Sequence, residues 1–249
     1  LSRVGAIDCG TNSIRLLITD MVDGELRDVH REMRVVRLGQ GVDATGQFAP
    51  EALARTESAL ADYVALMARH SVTAVRMVAT SAARDAGNRD EFFAMTARLL
   101  GKVVPGSVAE VITGTEEAEL SFRGAVGELD SAAGPFVVVD LGGGSTELVR
   151  GGAAVEASFS ADIGCVRLTE RCLRSDPPTA DEVAQARAVA RDGLAEALRR
   201  RGPRPGQRSC STPGRRCHRR CRRRRSAAHR SRRSRSCRWS SGPGRGWQG

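Results

Sequence analysis

The sequence predicts an α/β fold built in two halves. Three observations point to it. Short apolar runs bounded by turn residues alternate with longer stretches whose apolar residues recur at helical spacing. A strand–Asp–glycine-turn–strand unit opens near Val4 and returns near Phe136, which reads as an internal duplication. Residues 1–199 are ordinary globular text rich in Val, Leu and Ala, long enough to bury a sizeable core.

Taken in order, Val4–Ile7 is a strand that stops at Asp8-Cys9-Gly10-Thr11-Asn12-Ser13, and Ile14–Ile18 is the strand that leaves the turn. Gly10 suits the dihedral that such a turn demands. The Asp23-Gly24 turn leads into a third strand near Leu26–Val36. Pro50 and Glu51 open a helix that runs to about His70, with Leu53, Leu60, Val64 and Met67 on one face. Val75–Ala79 is a strand ending at Thr80-Ser81-Ala82-Ala83-Arg84-Asp85, and a helix near Asp90–Leu100 follows. Val108–Ile112 is a strand, and Thr113-Gly114-Thr115-Glu116 has the capping-box spacing for a helix through about Val126. The polar loop 127–135 marks a domain boundary. Phe136–Val139, Thr146–Val149 and Val155–Ser160 are strands of the second half. Thr179 and Glu182 cap a last helix whose apolar face is Val183, Ala186, Ala190, Leu194 and Leu198.

Charge divides the chain unevenly. The net charge is +10, yet residues 200–249 hold 18 Arg with no Lys, Asp or Glu, so residues 1–199 carry −8. The basic character therefore belongs to the tail. The tail also lacks Leu, Ile, Val, Met and Phe, cannot bury enough apolar area to offset chain entropy, and is expected to be disordered. No apolar run reaches membrane-spanning length, and nothing at the start has signal-peptide form. Cys9, Cys165 and Cys172 are an odd set without framework spacing, which fits a reducing cytoplasm. His30 and His70 lack any partner pattern and are expected at the surface.

The two turns carry the chemistry. A turn of small residues after a strand presents backbone N–H groups in a concave nest suited to phosphate oxygens. Hydroxyls at Thr11, Ser13, Ser145 and Thr146 add donors. Asp8 and Asp140, one at the end of each preceding strand, can hold a divalent metal directly or through water. Two such turns facing each other would clamp a polyphosphate chain and its metal. Neither turn has the P-loop pattern, and the single lysine, Lys102, lies in neither.

Asp8-Cys9-Gly10-Thr11-Asn12-Ser13 together with Asp140-Leu141-Gly142-Gly143-Gly144-Ser145-Thr146-Glu147 resembles the two phosphate motifs of the exopolyphosphatase / guanosine pentaphosphate phosphohydrolase (Ppx/GppA) family, closest to its actinobacterial branch. Ala79–Asp85 and Val111–Ala118 resemble two intermediate segments of that family, so the resemblance covers about residues 3–199. It implies two ribonuclease-H-like domains of the actin-like ATPase superfamily with a cleft between them: an N-terminal domain over 1–126, a second, incomplete one over 127–199, and the disordered arginine-rich tail over 200–249. It implies a metal-dependent phosphoanhydride hydrolase that releases terminal phosphate from inorganic polyphosphate, or alternatively hydrolyses guanosine pentaphosphate. Glu117 matches the catalytic carboxylate, the base for the attacking water. Asp140 and Glu147 match metal ligands, with Asp8 beside them, for Mg²⁺ or Mn²⁺. Arg84 matches a phosphate-binding arginine. Gly10, Thr11, Asn12, Ser13, Gly142, Gly143, Gly144 and Ser145 would line the phosphate path.

Taken without the resemblance, these residues also have plain explanations. Glu117 lies in the first turn of a helix, where acids are favoured by the dipole. Arg84 is one of 38 arginines, and Glu147 alternates with apolar neighbours on a strand.

Members of that family continue past residue 199 with a further Gly-Gly-Thr-like turn and more helices, and commonly dimerise. Here the text turns to Arg, Pro, Gly, Ser and Cys, as a shifted reading frame of GC-rich DNA yields. One Lys against 38 Arg agrees with GC-rich coding. A genuine arginine-rich arm for RNA is the competing explanation, and nucleic acid is a partner only in that case. Cys210, Cys217, His218 and Cys221 lack a second pair at zinc-site spacing. The missing cover would leave apolar surface exposed on the second sheet and impair activity. A kinase or ATPase of the same superfamily, and a non-catalytic protein that binds alarmones or polyphosphate, remain as alternatives.

Overall fold

The computed structural model describes residues 2–130 and 133–199, which belong to one compact unit. The arginine-rich segment, with its cysteines, lies outside the described residues. The chain forms a mixed α/β fold on two sheets. The first has the order β3-β2-β1-β4-β5, from β1 (Ser2–Cys9), β2 (Ser13–Val22), β3 (Glu25–Val35), β4 (Ala74–Ala79) and β5 (Glu110–Val111). β1, β2 and β3 form an antiparallel meander, and β4 joins β1 in parallel. β5 is two residues long, shorter than the apolar run 108–112 predicts: Val108 is exposed and Ala109 turns inward to a bond from its N–H to the Thr96 hydroxyl.

Alternation sorts each strand between two faces. Ile7 and Cys9 of β1, with Ile14, Leu16 and Ile18 of β2, are buried against α2 (Pro50–Arg69) and α4 (Arg89–Leu100). α2 brings Leu60, Tyr63, Val64 and Met67, at the spacing that places them on one stripe. The Tyr63 hydroxyl donates to the Ile14 carbonyl at 3.0 Å, satisfying the polar end of a fully buried ring. The other face of this sheet carries Ala6, Asp8, Arg15, Leu17 and Val78 and lines an open groove.

The second sheet has the order β6-β7-β8, from β6 (Phe136–Leu141), β7 (Thr146–Gly151) and β8 (Val155–Ala161), all antiparallel. α5 (Gly114–Val126), counted with the first half on sequence, packs on this sheet: Ala118 and Phe122 meet Val149, flanked by Phe136 and Val138. On the opposite face Val137, Val139 and Leu141 are 68, 59 and 67 % exposed.

Three short helices carry too little periodicity to be read from sequence: α1 (Val42–Thr45), α3 (Ser81–Asp85) and α6 (Cys165–Cys172). α3 occupies the segment expected only to end a strand. α7 (Ala180–Arg199) starts where its cap predicts, but no residue in it is buried, and Leu198 is exposed. His30 and His70 are not isolated: their rings stack with centroids 5.8 Å apart, and His30 meets Glu32. No helix among the described residues is long and apolar enough to cross a membrane.

Candidate active site

The duplicated turns meet. Gly10 N–H donates to the Ser13 carbonyl at 2.9 Å, and Gly142 N–H donates to the Ser145 carbonyl at 3.0 Å, so both turns close through the same bond. Their other carbonyls are drawn away from the cleft. In the first turn the Asn12 carbonyl accepts from Val36 and Arg37, and the Thr11 carbonyl from Gly39. In the second, the carbonyls of Gly142, Gly143 and Gly144 accept from the amides of Cys165, Val166 and Gly164 at the start of α6. With the carbonyls engaged elsewhere, the amide side of each turn is left to the cleft, the arrangement an anion requires. The approach is close enough to require glycine: a Cβ on Gly144 would lie 2.7 Å from Thr11 Oγ1, and one on Gly143 within 3.2 Å of the Asn12 nitrogen.

Between the turns lies a cleft of about 140 Å³. Gly10, Thr11, Asn12, Ser13, Gly142, Gly143, Gly144 and Ser145 all line it, with Asp8, Asp140 and Glu117 at the same opening. Thr11 Oγ1 is buried and has no hydrogen-bond partner. Arg84 and Glu147 stand behind this shell. Arg84 Nη1 donates to Glu117 Oε2 at 2.8 Å and to the Ile112 carbonyl at 3.0 Å, so its guanidinium is engaged with the carboxylate. Glu147 is 1 % exposed and accepts from Ser160 Oγ at 2.7 Å.

Electrostatics single out Glu117. Burial pushes its carboxyl up to about 7, the nearby Glu147 pushes the same way, and the Arg84 contact opposes both. Burial likewise raises Glu147 and Asp8, with Asp140 adding repulsion in each case. A carboxylate poised near neutrality serves proton transfer best.

Asp8 and Asp140 offer hard oxygen donors to the cleft, and Asp140 Oδ2 is oriented by Ser121 Oγ. Among the described residues no three His, Cys, Asp or Glu side chains are disposed to hold a metal by themselves. The buried Thr11 hydroxyl and the repulsion between Asp8 and Asp140 nevertheless suit an occupant that brings both a cation and oxygen atoms. This donor chemistry fits Mg²⁺, which takes one or two carboxylates and completes its shell with phosphate oxygens and water. Glu147, bonded to Ser160 behind the cleft, does not line it.

Sequence reasoning missed several residues at the site. Ser81 and Thr80 line the cleft from the start of α3, Arg15 reaches Asp8 at 3.3 Å, and Cys165 lies at the mouth. Ser121 stands one helical turn beyond Glu117, and Ser160 pairs with Glu147 across the β7–β8 ladder. Helix spacing and strand register were the signals that could have found these two. For Arg15 the signal is again strand register, since it lies directly opposite Asp8 in the β1–β2 ladder.

A model of the Ppx/GppA phosphatase family matches residues 17–209. Exopolyphosphatase 2 of Mycobacterium tuberculosis, from strains H37Rv and CDC 1551, is 71 % identical over 203 residues, covering 80 % of this chain and 64 % of the relative. The chain thus spans about two thirds of those relatives' length at most. Among solved structures, an exopolyphosphatase-like protein matches with TM-score 0.72 and 46 % identity over 80 % of this chain and 62 % of its own. The Aquifex aeolicus member of the Ppx/GppA family matches with TM-score 0.61 and 36 % identity over 78 and 62 %. Paired turns, raised carboxylate and matched sequence converge: the chain belongs to the Ppx/GppA phosphatase family.

Proposed function

We propose that this chain is built to hydrolyse phosphoanhydride bonds, releasing the terminal phosphate of inorganic polyphosphate. The names of its relatives support the substrate, and the environment of Glu117 carries the chemistry. The two turns bind successive phosphates through amides and the hydroxyls of Thr11, Ser13 and Ser145. Glu117, ionised above about pH 7, accepts a proton from the water that attacks the terminal phosphorus. Arg84 holds that carboxylate in place by a charge-assisted bond. A Mg²⁺ held by Asp8 and Asp140 would offset charge on the phosphate oxygens.

The two sheets, each opening with strand, glycine turn and strand, support an actin-like pair of halves with the cleft between them. Because the chain spans 64 % of its curated relatives, turnover slower than theirs is expected. The test is phosphate release from inorganic polyphosphate by the purified 249-residue chain, with and without Mg²⁺. Cation-dependent release that Glu117→Gln abolishes supports the reading. Equal release by the variant overturns it.

A further inference from the structure

We propose that Arg167 is a positioning residue that fixes the distance between the two phosphate turns. The proposal rests on the reading of the cleft as a polyphosphate site. Arg167 does not line the cleft; it stands behind it, on α6. One guanidinium serves four acceptors. Its Nε donates to the Gly144 carbonyl at 2.9 Å, holding the second turn. Its Nη1 donates to Asp43 Oδ1 at 2.9 Å, reaching α1. Its Nη2 donates to Asp85 Oδ2 at the end of α3 and to Ser81 Oγ at 3.3 Å.

The second turn is thereby tied to both short helices that flank the first. The same helix reinforces the tie from both ends. Its opening amides hold the carbonyls of Gly142 and Gly143, while Arg171 forks onto Asp43 at 2.5 and 2.6 Å and Glu170 Oε1 accepts from Gly41 N–H at 3.1 Å. The Arg167 and Asp43 side chains are 11 and 16 % exposed, so solvent screens their attraction little. These four acceptors are divided among Nε, Nη1 and Nη2, which a guanidinium holds in one rigid plane; an ammonium at the same place supplies the charge from a single nitrogen and cannot reach them all. The turns cannot separate unless this group lets go of Gly144 or of Asp43, Asp85 and Ser81. Nor can they approach further, since Gly143 and Gly144 already abut Asn12, Thr11 and Ser81.

The experiment compares the full 249-residue chain with Arg167→Ala, Arg167→Lys and, as a control that breaks an exposed ion pair on β3 away from the cleft, Arg31→Gln. Calorimetry measures binding of inorganic tripolyphosphate with Mg²⁺. Amide hydrogen exchange without ligand follows residues 10–13 and 142–146. Arg167→Ala and Arg167→Lys are expected to weaken binding by about tenfold or more. Exchange should accelerate in both turns with α2 unchanged, while Arg31→Gln stays within about twofold of the parent. Binding by Arg167→Lys within about twofold of the parent would show that charge alone suffices and overturn the proposal. So would unchanged exchange in both turns. If the parent chain fails to bind tripolyphosphate, the polyphosphate reading fails, and turn exchange alone decides the role of Arg167.

Discussion

Glu117 owes its chemistry to neighbours distant in sequence. Arg84 on α3 and Glu147 on β7 act on it with opposite sign, and burial outweighs the arginine. Its folded pKa of about 7 stands above the ordinary 4.5, so the native state holds this proton more tightly than the unfolded chain does. The stability so conferred is full below about pH 4.5 and is lost as pH rises through about 7. Glu117→Gln removes that loss. Relative to the parent, it should gain at least about 1 kcal/mol between pH 4 and pH 8 in denaturant titrations. A gap independent of pH would contradict the raised carboxyl. Removing the opposing charge gives the complementary sign: Arg84→Met should shift the acid limb of the rate profile to higher pH, read from phosphate release across pH 5–9. The sequence made Glu117 and the turns legible through motif resemblance. It left Arg84's engagement with Glu117 hidden, because an ion pair between α3 and α5 exists only after folding.

At the scale of elements, the first turn and Ser81 require glycine at 143 and 144, and the seating of α6 on the second turn requires a further glycine at 164. A Cβ on Gly164 would lie 2.3 Å from the Gly143 carbonyl, backbone that no rotamer change relieves. Gly164→Ala should therefore lower stability by about 2 kcal/mol or more and weaken tripolyphosphate binding, as measured by chemical denaturation and calorimetry. Core and open face should respond differently. Leu60→Ala, in the fully buried stripe of α2, should cost about 2–5 kcal/mol. Val139→Thr, on the exposed face of β6, should cost within about 0.5 kcal/mol in the same measurement. Long periodic elements such as α2 were legible from sequence because their spacing alone identifies the buried face. α1, α3 and α6 were not, since four, five and eight residues give too few turns to show a stripe, and α6 starts without a side-chain cap. α7 shows the reverse: its apolar spacing predicts a buried face, yet none of its residues is buried.

Across the whole molecule, one duplicated unit yields two turns that close by the same hydrogen bond and come face to face. The duplication could be read from text; the contact between the copies, and the arginine behind it, could not. One core is thick and the other thin, with three large apolar side chains of β6 left exposed. The turns nevertheless keep their geometry through α6. Binding of a phosphate chain should therefore survive better than turnover in this chain. The measurement that bears on the central claim most directly is a single-turnover reaction of tripolyphosphate with excess protein and Mg²⁺ at pH 8, followed by phosphorus NMR. The parent chain should convert it to equal amounts of pyrophosphate and orthophosphate, while Glu117→Gln binds it uncleaved. Cleavage by Glu117→Gln at the parent's rate, or no binding by either, would contradict a cleft in which paired glycine turns hold the phosphates and Glu117 takes the proton.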